Sequence, residues 1–403
     1  MEHQPKAQTR IRIFGFHYIR GRKTPLAYFW LLAVRDCLLA MLWGRTTQTP
    51  APQMAEPKIV VSKIDHLGDV LMITPFLLEL KRQLPKAKII LIIGSWSKVL
   101  AEMLHKAAIC DLICHYDAPA MNRAKVSLPK KCIRFLKTFL AARSLLRREK
   151  PDVFMDLRPY SPNTLLLARI CRIPFRVGFG LRGLAFTLHQ EIHFDAGVPL
   201  GQLFLDALSL LGLKRAEYER PLLPPADPSP ADDAAMRAEC SGPYVVLQPC
   251  SGESSREIAH EIWDRILDVL CPRIKVIMLG GPGDASMATR LGQNRTREQF
   301  KSMAGRTTLP QAVRIAEKSK GCIGVDSFFA HVGLAYALPV IVLAVKTSLR
   351  MSFPRENPNL HYVEVEKPGF SPEEIARAFL DRVLTSDVRK TGPAFSPDYQ
   401  DLA

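Results

Sequence analysis

The sequence predicts an α/β protein of two similar domains, each built on a parallel sheet, with a cleft between them. Three observations carry this. Short β-branched runs alternate with helix-period stretches from Lys58 to about residue 171, the pattern of a parallel sheet covered on both faces. The same alternation starts again at Tyr244. Between the two, Pro221, Pro224, Pro225, Pro228 and Pro230 crowd one short segment, where a domain boundary is expected. A chain of 403 residues is long enough for two such cores.

The first domain is expected over 58–225. It opens with Lys58-Ile59-Val60-Val61-Ser62-Lys63-Ile64, whose β-branched run reads as a buried strand. A polar loop ending in Gly68-Asp69 follows, then Val70, Ile73, Leu77, Leu78 and Leu80 at helical spacing. That spacing predicts one helix over 70–84. A strand that runs through a Gly loop into a helix is where open α/β sheets hold ligands. Gly68 would let the backbone turn or approach a ligand closely, and Asp69 is either a helix cap or a functional carboxylate. Further strands are predicted at 88–94, 112–116 and 153–158, with helices at 97–106, 129–149 and 163–171. Arg176 to Gly180 would add another strand.

The helix over 129–149 belongs to a basic run. Residues 121–150 hold ten Lys/Arg and one acid, Glu149. Ile133, Leu136 and Leu140, with Phe139, would form the buried stripe. Lys130, Lys131, Arg134, Lys137, Arg143, Arg147 and Arg148 would then form a cationic face. Such a face is either simply solvated or suited to an anionic membrane or a phosphorylated lipid.

Residues 1–57 differ from the rest, with eight Lys/Arg against Glu2, Asp36 and Glu56. Leu26 to Trp43 is apolar but interrupted by Arg35 and Asp36, and short for a spanning helix. A signal peptide is not expected, because the basic region before it is long and no small-residue cleavage site follows. The stretch reads either as a helix in a membrane interface, with Tyr28, Phe29, Trp30 and Trp43 as anchors, or as a helix packed on the protein. Thr46 to Pro57 reads as a linker, so a chain without residues 1–57 is expected to keep a soluble two-domain core.

The second domain is expected over 240–386, with strands at 244–249, 275–280, 321–325, 340–345 and 361–365 and helices at 261–270, 284–292, 308–319, 327–337 and 372–385. Residues 387–403 read as a loose tail. Three polar clusters follow strands: Pro249 to Arg256, Gly280 to Asp284, and Gly324 to His331. All three fall on the carboxyl edge of one sheet, the ligand side. The third brings a helix N-terminus, which favours phosphate, and Arg256 could bind the same anion bidentately. Alternatively Gly281 and Gly283 are turn glycines, Asp326 or Ser327 a cap, and His331 a packed histidine.

A net charge of +16 suggests an anionic partner. Nucleic acid is disfavoured, since no aromatic-basic module is present. No GxGxxG follows the first strand, and no Walker A motif or nucleophile elbow occurs. The nine cysteines form no CxxC pair. Cys110 and Cys114, near His105 and His115, read as buried thiols in a reducing compartment, not as a zinc site.

Several motifs together resemble the family 9 glycosyltransferases, whose known members include the lipopolysaccharide heptosyltransferases. The resemblance runs from about Lys58 to Leu384. It rests on Gly68-Asp69 with Thr74-Pro75, Asp156-Leu157, Arg176-Val177-Gly178-Phe179, and the loop from Pro249 to Arg256. Gly280-Gly281-Pro282, Met303-Ala304-Gly305-Arg306-Thr307, and Asp326-Ser327 with His331 complete it. Three positions depart from the family pattern: Phe328 stands for a Gly, Ala344-Val345-Lys346-Thr347 for Phe-Gly-Pro-Thr, and Ile258 for a Trp.

The resemblance implies a GT-B fold of two Rossmann-like domains, acceptor on the first and nucleotide sugar on the second. It implies inverting transfer with no bound metal and no cofactor beyond an ADP-linked sugar donor. By that analogy Asp69, beside Gly68, is the catalytic base. Arg256, Asp284, Asp326, Ser327 and His331 belong to substrate binding, with Lys346 as a replacement positive charge. The implied reaction moves a heptose onto an anionic glycolipid acceptor for lipopolysaccharide core or a related surface glycan. It would run at the cytoplasmic side of the inner membrane, with the protein peripheral to it. The alternative is a family member of impaired catalysis that binds glycolipid or a partner enzyme.

Overall fold

A computed structural model of the chain describes residues 9–20, 25–124, 126–159, 163–226, 239–345 and 350–385. The chain divides into two compact units, Met1–Tyr218 and Glu219–Gln400. The loose tail expected over 387–403, Pro228 and Pro230 of the boundary, and Lys346 lie outside the described residues.

In the first unit a hairpin, β1 (Thr9–Ile13) and β2 (Phe16–Arg20), precedes α1 (Leu26–Trp43). The hairpin turns at Phe14-Gly15 with both residues at positive φ, the twist that suits a two-residue connection. There follow β3 (Lys58–Ser62), α2 (Leu67–Leu71), α3 (Thr74–Gln83), β4 (Lys88–Ile93), α4 (Lys98–Lys106), β5 (Leu112–His115) and α5 (Leu128–Glu149). Then come β6 (Val153–Asp156), α6 (Asn163–Ile170), β7 (Phe175–Gly178), β8 (Gln190–Glu191) and α7 (Leu200–Asp206). Six strands pair in the order β5-β4-β3-β6-β7-β8, all parallel. Both faces are covered, which is why β3 and β4 read as continuous apolar runs.

The helix predicted over 70–84 is two helices. Pro75 lacks an N–H and cannot bond back to Leu71; the Thr74 hydroxyl takes the Leu71 carbonyl instead, at 2.8 Å, and α3 starts afresh with Pro in its first turn.

The stripe assigned to α5 is, apart from Phe139, on the wrong side of the helix. Ala142 and Leu146 are buried, with Phe135 and Phe139 packed beside them. Ile133, Leu136 and Leu140 are 57%, 56% and 50% exposed. Two apolar rows satisfy helical spacing on this helix, and the two phenylalanines that close on Tyr116 take the inner one, since aromatic rings bury more area.

The described part of residues 1–57 does not stand apart from the first unit. Phe29, Leu32 and Ala33 of α1 join Val60, Ile90, Ile92 and Phe154 of the sheet in one core. The buried Asp36 carboxylate accepts from Tyr18 O–H at 3.1 Å and Leu184 N–H at 3.0 Å, and pairs with Arg35 at 2.6 Å. A Cβ at Gly183, where φ is +103°, would sit 2.8 Å from Asp36 Oδ2. The expected linker is also fastened down: Thr46 N–H donates to Phe186 O at 2.8 Å, and Gln190 Nε2 to Thr49 O at 2.7 Å.

The second unit repeats the plan. It comprises β9 (Tyr244–Gln248), α8 (His260–Leu270), β10 (Lys275–Met278), α9 (Ala285–Gly292), β11 (Phe300–Ser302), α10 (Leu309–Lys318), β12 (Cys322–Val325) and α11 (Phe328–Ala335). It ends with β13 (Val340–Ala344), β14 (Leu360–Glu364) and α12 (Pro372–Thr385). The strand order is β11-β10-β9-β12-β13-β14, parallel throughout. Trp263, Leu270, Phe379 and Val383 fill the core between α8, α12 and the sheet. Gly324 lets β12 run against β9, since a Cβ there would strike the Gln248 carbonyl.

Candidate active site

In each sheet the first strand lies in the middle, with its successors on one side and a later strand on the other. That reversal of order opens a crevice at the carboxyl ends of two neighbouring strands, the place open α/β sheets use for ligands. In the first unit the two strands are β3 and β6; in the second they are β9 and β12.

At the first switch point the loop after β3 supplies Lys63 and Asp65, the first turn of α2 supplies Asp69, the end of β6 supplies Asp156, and the loop after it supplies Arg158. Lys63 Nζ lies 3.1 Å from Asp65 Oδ2, and Arg158 Nε 2.9 Å from Asp65 Oδ1. Lys63 and Arg158 are almost wholly buried, and Lys63 also rests over the Phe204 ring at 4.9 Å. Trp96 Nε1 holds the Asp65 carbonyl at 2.7 Å. Burial alone would raise the Asp65 carboxyl, but the charges of Lys63 and Arg158 outweigh it and hold Asp65 below the usual carboxylate range. Asp69 goes the other way: burial raises it, and the neighbouring Asp65 charge raises it further. Asp156 is pushed up to about 7 by burial, although it accepts from Thr164 Oγ1 at 2.9 Å and Arg158 N–H at 3.2 Å. The loop after β3 and the helix it enters thus carry an ionised carboxylate near a more basic one, a division that suits proton removal.

Asp69 is not the cap of its helix. His66 occupies that position, and Asp69, two residues further in than Leu67, accepts from the His66 backbone N–H. Gly68 is an ordinary residue of the first turn of α2 and is not among the glycines at positive φ. The freedom to turn that Gly68 suggested is therefore unused.

At the second switch point Arg256 Nη1 lies 3.2 Å from Asp326 Oδ2, and its Nε 3.4 Å from Glu253. Asp326 is buried and Arg256 about a quarter exposed. Ser327 precedes α11 but does not cap it with its own hydroxyl, which donates to Gln248 Oε1. Gln248 Oε1 also accepts Phe329 N–H at 3.2 Å. At least one N–H of the expected phosphate-binding helix start is therefore already taken. His331 is buried and stacks on Phe353, with centroids 4.5 Å apart and planes 6° from parallel. Burial, then the Arg256 charge, lower its pKa to about 3, so it is a neutral packed histidine. Asp284 Oδ2 turns back to accept Gly281 N–H at 2.8 Å. Gly305, at φ +68°, donates to Gly280 O at 3.0 Å, and a Cβ on it would meet Pro282 Cα at 2.8 Å.

The structure thus brings Arg256, Asp326 and Ser327 to one strand switch and Asp69 to the other. It turns His331, on the buried face of α11, into the core against Phe353, and commits Asp284 to its own turn. Lys63, Asp65, Arg158 and Gln248 were not singled out by sequence. Their signal was weak: each is a polar residue at or just past the end of an apolar strand.

A sequence-family model described as Glycosyltransferase family 9 (heptosyltransferase) matches residues 161–358. Lipopolysaccharide heptosyltransferase 3 of Escherichia coli is 25% identical over 296 residues, 68% of this chain and 80% of that protein. The crystal structure of the glycosyl transferase family 9 protein from Veillonella parvula superposes with a TM-score of 0.70 at 18% identity, over 83% of this chain and 100% of that one. E. coli ADP-heptose lps heptosyltransferase II superposes with a TM-score of 0.63 at 16% identity, over 81% and 98%. Two Rossmann-like units with these strand orders are the GT-B type of fold. Residues 161–358 thus match glycosyltransferase family 9, and with the E. coli relative they mark the chain as a glycosyltransferase.

Proposed function

We propose that the chain transfers a heptose from ADP-heptose to a lipid-linked acceptor of lipopolysaccharide core or a related surface glycan, with inversion at the anomeric carbon. The first unit would hold the acceptor and the second the nucleotide sugar. The observation that carries this reading is Asp69 at the first strand switch, its carboxylate made more basic by burial and by the charge of the nearby Asp65. An acceptor hydroxyl set against Asp69 would lose its proton to that carboxylate as its oxygen attacks the anomeric carbon. The bond from that carbon to the diphosphate breaks in the same step, and ADP leaves with the electron pair. Arg256, released from Asp326 or shared with it, and the start of α11 would stabilise the charge on the departing diphosphate. The E. coli relatives named for heptose transfer support the sugar and the nucleotide. The reaction belongs at the cytoplasmic face of the inner membrane.

A second reading has one observation in its favour. Phe328 opens α11, its ring edge-on to Phe329 at 5.2 Å, and puts bulk where a phosphate would meet the backbone. A member of impaired catalysis that binds glycolipid would keep the fold and lose donor turnover.

The test offers ADP-heptose, UDP-glucose and GDP-mannose to the full-length protein and follows both Tm and nucleotide release with truncated lipopolysaccharide acceptors. A rise in Tm with ADP-heptose alone, since only native protein binds it, together with ADP release that needs acceptor, supports heptose transfer. No release with any donor favours the second reading.

A further inference from the structure

The exposed apolar surface of the first unit is concentrated. All but two, Val99 and Leu384, of the large hydrophobic side chains exposed among the described residues belong to residues 14–42 and 126–140. Surface apolar residues are ordinarily scattered, and a contiguous set marks an interaction surface.

Apart from Phe14 and Val126, these residues lie on two helices that cover the same face of the sheet. Phe29, Leu32 and Ala33 of α1 and Ala142 and Leu146 of α5 enter one core with Val60, Ile90, Ile92 and Phe154. The helices are neighbours there, for Arg35 and Leu39 of α1 and Phe135 of α5 line one cavity of about 260 Å³. Outward, α1 presents Trp30, Leu31, Val34, Leu38, Met41 and Leu42. Phe14, at the hairpin tip, meets Trp30 edge-on at 5.4 Å and extends the patch. Outward, α5 presents Ile133, Leu136 and Leu140 among exposed Lys130, Lys137 and Arg147.

Length and composition would let α1 cross a membrane. Its fixed midpoint argues otherwise: Asp36 is fully buried and bound to Tyr18, Arg35 and Leu184. A helix so held keeps one side on the protein and offers the other to its surroundings.

We infer that α1 and α5 together form the face by which the first unit enters the interfacial layer of an anionic bilayer. α1 lies in the plane of the interface as the apolar element, and α5 is its cationic flank. The charges favour lipid. α1 and α5 carry one carboxylate each, Asp36 and Glu149, and both are engaged, Asp36 as above and Glu149 with Lys88 and Arg148. Aliphatic and aromatic side chains with a one-signed cationic border suit the headgroup boundary of anionic lipid. The inference deepens the lipid-linked acceptor reading, and it rests on the first unit alone.

The test is flotation of the full-length protein with vesicles of phosphatidylglycerol and phosphatidylethanolamine, against vesicles of phosphatidylcholine. We expect binding to the anionic vesicles that weakens with salt. Leu31→Glu with Leu38→Glu should lower it about tenfold or more. Lys130→Glu with Lys137→Glu should lower it by a similar factor at low salt. Val99→Glu, an exposed apolar position elsewhere, should change nothing, and unaltered melting will show that the variants fold. Undiminished binding by the α1 variant overturns the inference. So does an α1 variant that turns an oligomer into a monomer while vesicle binding persists, which would make a second copy the occupant. Binding is measured without donor or acceptor. It can therefore fail while transfer to a detergent-dispersed acceptor persists, or persist while transfer fails, and the two readings fall separately.

Discussion

The Asp65 carboxylate accepts Arg158 Nε at 2.9 Å, joining residues 93 positions apart. This contact ties the loop after β3 to the loop after β6 at the point where the strand order reverses. Lys63 takes the other carboxylate oxygen, so Asp65 carries its charge in a largely buried place. A buried carboxylate stays ionised only when cations meet it, and here both arrive from the strand ends themselves. The consequence falls on Asp69, which feels the Asp65 charge in addition to its own burial.

The first prediction concerns this pair. Asp69→Asn should lower kcat by about a hundredfold or more, the scale of losing an acid–base group, with donor affinity unchanged. Asp65→Asn should move the acidic limb of the kcat/KM profile to lower pH. It removes the negative neighbour that raises Asp69 and frees two cations that lower it. Burial remains, so the limb should stay above the usual carboxylate range. A limb that stays put or moves up would show that another group takes the proton.

Asp156 allows a prediction about stability. Its pKa is raised from an ordinary 3.8 to about 7 by burial. The folded state then holds a proton that the unfolded state has lost between those values, so stability falls as pH rises across that window. The whole effect is at most roughly 4 kcal/mol. Urea unfolding of wild type should show the fall between about pH 4 and 7, and Asp156→Asn should flatten it. An equal slope in both proteins would mean that Asp156 is already ionised at low pH.

Much of the fold was legible because parallel strands buried on both faces are unbroken apolar runs, as in Lys88–Ile93 and Val340–Ala344. The rotation of α5 was not, since its two apolar rows have the same spacing and only the neighbours, Tyr116 among them, choose between them. The hairpin over 9–20 was missed because Phe14 stands in a left-handed position that sequence gives to glycine or asparagine. At the site, Asp69 was visible through the Gly-Asp loop, and Arg256 and Asp326 through their loops. Asp65 and Arg158 were not, because their meaning is a contact between distant segments. Gln248 looked like the last residue of a strand, whereas its amide oxygen serves Ser327 and Phe329 across the sheet.

Arg256 bears on the donor. Its guanidinium now rests on Asp326 at 3.2 Å. Arg256→Ala should weaken binding of ADP-heptose by roughly 1.5–3 kcal/mol, the worth of hydrogen bonds to a charged group. It should also lower stability, because the buried Asp326 loses its guanidinium. Arg256→Lys separates the two effects: it keeps a charge for Asp326 but not the two-pronged fork. We expect stability to recover in Arg256→Lys and donor affinity to recover only partly, by calorimetry. Full affinity in the Ala variant would put the diphosphate elsewhere.

The last prediction reverses what the proline-rich segment after α1 suggested. A chain that starts at Lys58 should not give a stable core, because it lacks Phe29, Leu32 and Ala33 and exposes the sheet residues they cover. Removing even one such large side chain from a core costs about 2–5 kcal/mol, so the whole helix is beyond what one unit can lose. The finer test is Asp36→Ala in the intact chain. It leaves Tyr18 O–H and Leu184 N–H without the carboxylate they share and frees Arg35. Breaking a buried pair on one side costs about 3–5 kcal/mol, which for a unit of this size lowers Tm by roughly 10 °C. The same variant should loosen α1 from the protein, so hydrogen exchange over 26–43 should quicken before that over 58–62. If Asp36→Ala melts with wild type and α1 exchanges no faster, the apolar side chains hold the helix alone, and the buried carboxylate contributes orientation without stability.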